Sequence, residues 1–224
     1  MTALKKLYKY AVIASDVVVF TVSAGKLQVL LIKMKKEPYT DFWAAPGGLV
    51  TGNESVDKAA SRILQSKTGV KDVYLEQFHT FGEVNRDPFG RVVSVAYLAL
   101  IPNSDITLKT TGEYADVKWF SVNDLPKLAY DHRKIITQAL AQLQLKLATT
   151  NIAYSLLPKE FPLSELQATY ELILKKKLDK RNFRKKLFSL GLVRPTKGRV
   201  VGQAHRPAAL YAFTSRSLQT IDLL

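Results

Sequence analysis

The stretch GGLVTGNESVDKAASRILQSKTGV sets a glycine pair, Gly47-Gly48, ahead of Glu54, Arg62, Ser66, Lys67 and Gly69. A glycine loop running into a helix presents backbone N–H groups to an anion, and Arg62 and Lys67 add positive charge, so these residues suit a bound phosphate. Cleaving a phosphate bond asks for more. A hard divalent cation must be held by several carboxylates on one side of the helix. Glu54 offers one such carboxylate beside the loop. The plainer alternative is a tight turn into the helix, with Arg62 in a salt bridge within it.

Other residues that could line the same pocket are Phe42 and Trp43, just before the glycine loop, and Arg86, Asp87, Arg91, Asp131 and His132 further on. A nucleoside diphosphate needs cations and N–H groups, which Gly47, Gly48, Arg62, Lys67 and Arg86 supply. A sugar needs paired hydrogen-bonding groups over an aromatic face, which Asp87, Asp131, His132 and Trp43 supply. Arg86-Asp87 also suits a turn before Pro88, and His132 a helix cap. His79 and His205 have no partner at metal-ligand spacing.

A second constellation lies in LDKRNFRKKLFSLGLV. With Phe183, Leu187 and Leu190 inward at helical spacing, Arg181 and Lys185 face outward, flanked by Lys180, Asn182 and Arg184. Arginine can pair with guanine and asparagine with adenine in a major groove, while lysines neutralise phosphates. Lys197, Arg199 and Arg206 form another basic cluster downstream. The plainer alternative is a solvated basic helix face.

The elements that must position these groups follow from hydrophobic period. AVIASDVVVF and LQVLLIKM read as strands joined at Ser23–Lys26, with Asp16 interrupting the first apolar run. A helix with Val56, Ala59, Ala60, Ile63 and Leu64 inward ends at Gly69. Strands are expected at about 73–84, 91–101 and 116–120, and a helix at about 131–147 with Ile135, Ile136, Ala139, Leu140 and Leu143 inward. Mixed strands with two helices make an α/β (α+β) sandwich for residues 1–148. Residues 149–224 then read as helix, turn, helix and hairpin, a winged helix-turn-helix.

The 224 residues are 47% hydrophobic, enough for a sizeable core, and contain no cysteine, which excludes disulfides and thiolate metal sites and suggests a cytoplasmic setting. No apolar run reaches membrane-spanning length, so no membrane role is expected. The net charge of +14 is uneven. Residues 151–224 carry 14 Lys and Arg against 5 Asp and Glu, a net +9, while residues 1–150 carry 19 against 14. Such asymmetry points to a polyanionic partner for the C-terminal part.

Gly48, Glu54, Arg62, Leu64 and Gly69-Val70 fall on the spacing of the Nudix signature, so residues 10–145 resemble that family, with Ile63, Ser66 and Lys67 where it carries glutamates. The family's adjacent glutamates bind magnesium, and a weak neutral ligand and an ammonium stand in their place, so the resemblance implies a stretch that senses a ligand rather than cleaves it, with no catalytic residue, no metal site and no cofactor. EVNRDPFGRVVSVAYLAL, AYDHRKII, LLPKEFPLSELQATYE and LDKRNFRKKL resemble the Nudix-related transcriptional regulators, the group that includes NrtR-type and AraR-type regulators. The resemblance implies an α/β/α effector-binding domain, a winged helix on double-stranded operator DNA, and a repressor that responds to an effector, either ADP-ribose or a sugar such as arabinose. Repressors of this kind work as homodimers on near-palindromic sites. The alternatives are a hydrolase of nucleoside diphosphate derivatives and an RNA-binding module.

Overall fold

A computed structural model describes residues 10–71, 73–102, 108, 112, 114–199 and 209–223. The chain divides into two compact units. The first is drawn from the residues up to Phe20, Gln28–Leu100 and the stretch ending at Leu140, and the second from Thr21–Leu27 and Ala141 onward.

The first unit is a seven-stranded mixed sheet with helices. Its centre is β1 (Val12–Ser23), in which Val17, Val18, Val19 and Phe20 are fully buried. That unbroken apolar run, without alternation, is what a strand covered on both faces requires. β1 runs parallel to β6 (Val92–Leu100), from Val12 opposite Val92 to Phe20 opposite Leu100, and β6 pairs antiparallel with β5 (Tyr74–Phe81). On its other side lies β2 (Lys26–Lys33), which pairs with β3 (Trp43–Ala44) and β7 (Asp116–Ser121). The glycine loop is itself a strand, β4 (Gly47–Leu49), antiparallel to β1 with Gly47 opposite Asp16.

Helix α1 (Val56–Thr68) starts where the Ser55 hydroxyl accepts the Lys58 N–H at 3.2 Å and ends at Gly69, left-handed at φ 79°. Ala59, Ala60, Ile63 and Leu64 are buried, with Val56 half-buried. Ile63, at a signature glutamate position, is a core residue. Helix α2 (His132–Thr149) buries Ile135, Ile136, Ala139 and Leu143, leaving Leu140 half-buried.

The second unit contains a short 3-10 turn (Ile152–Ser155), α3 (Leu163–Leu174), α4 (Lys180–Ser189) and a three-stranded sheet of β8 (Phe161–Pro162), β10 (Ala209–Phe213) and β9 (Val193–Arg199), in that spatial order. Leu163, Leu166, Tyr170 and Ile173 of α3 are all buried, facing Phe183 and Leu187 of α4. Tyr170 and Phe183 have ring centroids 5.3 Å apart, and Phe161 and Phe213 5.1 Å. Leu190 departs from the expected core: it is 39% exposed. Helix α4 ends one residue earlier and the chain reverses at Gly191, φ 61°, so helical spacing no longer sets its direction.

Between the helices, Glu171 fastens the turn. Its carboxylate accepts the Leu178 N–H and the Gln167 amide, each at 3.0 Å, and the Lys177 ammonium at 3.1 Å. The Leu178 N–H, with Gln167 and Lys177, holds that carboxyl down at about 2.

Candidate functional site

A cavity of about 390 Å³ opens in the first unit against β1, β4, the end of α1 and the start of α2. Of the residues singled out in the sequence, Gly47, Gly48, Lys67, Arg86, Asp87 and His132 line it. Phe42, Trp43, Arg62, Arg91 and Asp131 are not part of its lining. The Trp43 ring packs on Phe120 at 4.5 Å, Phe42 lies under the Lys127 ammonium at 4.0 Å, and Arg91 donates to the Glu83 carbonyl at 3.3 Å.

The cavity wall carries a buried charge network. The Arg86 guanidinium, 4% exposed, grips Asp131 through Nε at 3.0 Å and Nη2 at 2.8 Å, and Nη2 also lies 3.2 Å from Asp16 Oδ2. Ser94 donates to the same Asp16 oxygen at 2.6 Å. Buried carboxylates need such partners, because an unpaired charge there costs several kcal/mol. Asp131 thus stands behind Arg86 and orients it.

His132 sits in the first turn of α2, with Nδ1 accepting the Ala45 N–H at 2.8 Å and Nε2 3.7 Å from Asp16 Oδ1. An accepting Nδ1 requires a neutral ring. Burial lowers the pKa of His132 below its ordinary 6.5, outweighing the upward pull of Asp16 and Asp131. Because the folded pKa is the lower one, the unfolded chain takes up its proton first as pH falls. The contribution of this site to stability is therefore full above pH 6.5 and is lost as pH falls through the folded pKa. The melting temperature is expected to drop between pH 7 and pH 5, and His132→Gln should flatten that drop; an unchanged slope in the variant would refute the assignment.

Gly47 is fixed by the same network. A Cβ added there would stand 2.0 Å from Asp16 Oδ1, a distance no real contact reaches. Gly47→Ala must push the carboxylate off Arg86 and Ser94, and is expected to cost about 1–3 kcal/mol, the range for overpacking a closed interior. Urea denaturation checks it, and a loss under 0.5 kcal/mol would mean the wall yields freely.

Lys67 extends from the last turn of α1 into the cavity wall, where its ammonium donates to the Gly47 carbonyl and the Tyr114 hydroxyl and lies 4.5 Å from the Tyr114 ring centroid. Ser66 turns back to the Ile63 carbonyl at 3.3 Å. Glu54 is bound by Arg62 through Nε at 2.9 Å and Nη2 at 2.6 Å and accepts the Thr51 N–H at 2.9 Å. Arg62 chiefly, with Thr51, holds the Glu54 carboxyl down at about 2. Arg62 also donates to the Leu49 carbonyl, so the pair clamps the glycine loop to the helix. This donor set does not fit the divalent metal of a Nudix hydrolase: its carboxylate is engaged by a guanidinium and an ammonium reaches the loop carbonyl. Among the described residues, no group of three His, Cys, Asp or Glu side chains could hold a metal ion.

Sequence reasoning passed over Asp16, Ser94, Tyr114, Phe89 and Tyr130, all within this site or its wall. Asp16 left a signal, a lone charge in an apolar strand. Tyr130, left-handed at φ 51°, faces the His132 ring at 5.5 Å, and burial pushes its hydroxyl up to about 12.

In the second unit, Lys180, Arg181, Asn182 and Lys185 are exposed on α4, whose start is capped by Asp179 accepting the Asn182 N–H at 2.8 Å. Arg184 is half-buried, and its Nε has no hydrogen-bond partner among the described residues. Lys197 is exposed on β9. The Arg199 side chain and Arg206 lie outside the described residues. The exposed N-terminal part of α4 offers two cations, an amide and a free helix face, the equipment for reading a groove.

Comparison with known proteins bears on both units. Residues 13–139 match the NUDIX domain and residues 153–213 the NrtR DNA-binding winged helix domain. The chain is 36% identical over 220 residues to the ADPR-responsive transcriptional repressor NtrR of Acinetobacter baylyi, covering 96% of this chain and 86% of that one. It is similar to the crystal structure of Shewanella oneidensis NrtR complexed with a 27mer DNA, with a TM-score of 0.77 and 31% identity over 90% of this chain and 93% of the other. The NUDIX domain of the same Shewanella protein, crystallised with ADP ribose, matches at 34% identity and a TM-score of 0.56 over 61% of this chain and 90% of that one.

Proposed function

Since this chain belongs to the NrtR family of ligand-responsive winged-helix repressors with a NUDIX domain, we propose that its effector is ADP-ribose and that the NUDIX unit binds this molecule without hydrolysing it. The observation that carries the reading is Lys67: where hydrolysis would need a carboxylate facing a metal, an ammonium meets the Gly47 carbonyl beside a cavity of ligand size. The Acinetobacter repressor and the ADP-ribose complex of the Shewanella NUDIX domain support the same ligand. A pentose is the competing effector: of the residues suited to a sugar, Asp87 and His132 line the cavity, while Trp43 and Asp131 do not.

Residues 1–148 would then form the effector-binding part and residues 149–224 the operator-binding part, acting in the cytoplasm as a homodimer on two half-sites. Among the described residues no helix is long and apolar enough to cross a membrane. In the cavity we assign the ligand to Gly47, Gly48, Lys67, Arg86, Asp87 and His132, and on DNA the base-reading role to Arg181 and Asn182.

The test is operator binding by fluorescence anisotropy at several salt concentrations, with and without ADP-ribose or pentoses. ADP-ribose should release the operator and pentoses should not; release by a pentose alone would overturn the effector. Arg181→Ala is expected to cost about 1–3 kcal/mol and to relax the preference at one base pair. Lys197→Ala should weaken all duplexes alike and reduce the salt slope by about one phosphate contact. If both variants bound like the parent, the DNA face would lie elsewhere.

A further inference from the structure

We propose that the buried pair of Asp16 and His132 receives one ribose hydroxyl of the ligand, and so draws the hydroxyl-bearing part of that molecule to this wall of the cavity. The inference rests on the effector reading above and adds to it which group of the ligand meets which atoms.

Both side chains line the cavity, and both are more than nine-tenths buried. The Ala45 N–H occupies His132 Nδ1, so the neutral ring carries its proton on Nε2. That second N–H has no acceptor within hydrogen-bond distance among the described residues. Arg86 and Ser94 both donate to Asp16 Oδ2, which leaves Oδ1 without a hydrogen bond among the same residues. The two unspent atoms lie 3.7 Å apart. This separation is too long for a direct hydrogen bond and suits a single oxygen about 2.8 Å from each.

Buried polar atoms are rarely left unmet, so the pair calls for a partner of its own chemistry. That partner must accept from Nε2–H and donate to a carboxylate oxygen through one atom, which a hydroxyl does. A phosphate oxygen only accepts and is repelled by Asp16, while an ammonium only donates and finds a second donor in His132. Gly47 belongs to the same arrangement. A Cβ there would come within 2.0 Å of Oδ1, so glycine is what leaves that oxygen room for another partner. A purely structural pair, bridged by water, would be indifferent to the hydroxyls of a ligand. That difference is what the experiment reads.

The full-length protein is titrated by calorimetry with ADP-ribose and with analogues that each lack one ribose hydroxyl. One analogue should bind about 10- to 100-fold more weakly than ADP-ribose, the worth of a hydrogen bond to a charged group. In His132→Asn the amide oxygen can still accept the Ala45 N–H, but nothing stands in the place of Nε2, and that ratio should shrink to about threefold or less. Asp16→Asn keeps the shape and removes the charge of the acceptor; it should shrink the same ratio, and it decides the matter if the histidine variant does not fold. An unchanged ratio in the folded variants, or a parent that binds every analogue as it binds ADP-ribose, overturns the hydroxyl site. No binding of ADP-ribose at all overturns the effector reading, and the hydroxyl assignment with it.

Discussion

Arg86→Met is expected to lower the free energy of unfolding by about 3–5 kcal/mol, the cost of leaving buried charges without their partner. Among the described residues the guanidinium is the cation that Asp16 and Asp131 share, and methionine supplies the stem without the charge. Asp16 keeps Ser94 and His132 nearby, but a hydroxyl and a neutral imidazole do not balance a carboxylate. Urea denaturation at pH 7 measures the loss. Adding Asp16→Asn to Arg86→Met should return part of it, since the charge left unpaired is then removed too. A loss below 1 kcal/mol would show that water reaches the network.

Phe183→Ala is the second large effect, about 3–5 kcal/mol, the usual range for deleting a buried phenyl ring. Phe183 is 5% exposed and packs on Tyr170, so its ring fixes the angle at which α4 leaves α3. Operator affinity should fall with stability, because Arg181 and Asn182 are presented by the same helix. Phe183→Leu keeps most of the volume and should keep most of both. The Ala variant melting and binding like the parent would remove Phe183 from the core.

Much of this was legible in the sequence because helical spacing reports burial directly. Ala59, Ala60, Ile63 and Leu64, then Leu166, Tyr170, Ile173, Phe183 and Leu187, are buried as their period requires. The family resemblance drawn from the box and the later segments agrees with the NUDIX and NrtR winged helix matches. Strands β3, β4 and β8 are two or three residues long, too short to show a period, and the glycine loop hid one of them. The site was legible where residues sit close in sequence and illegible where pairing brings them together. Asp16, Arg86, Ser94 and Asp131 span more than a hundred positions and meet only because β1 lies beside β4 and β6. Trp43, named for its aromatic face, is instead held by Phe120 through the pairing of β2 with β3 and β7.

Ile63 decides how readily the carboxylates of the Nudix signature could all be set on this scaffold. It is wholly buried, and its Cδ1 lies 3.6 Å from where a side chain on Gly48 would begin. Exchanging Ser66 and Lys67 for glutamates alters two positions that the core does not depend on. Completing the signature at 63 inserts a carboxylate where an apolar side chain now fills the space under the glycine strand. Carboxylates at 66 and 67 could be introduced one at a time, whereas one at 63 would have to be preceded by repacking its neighbours.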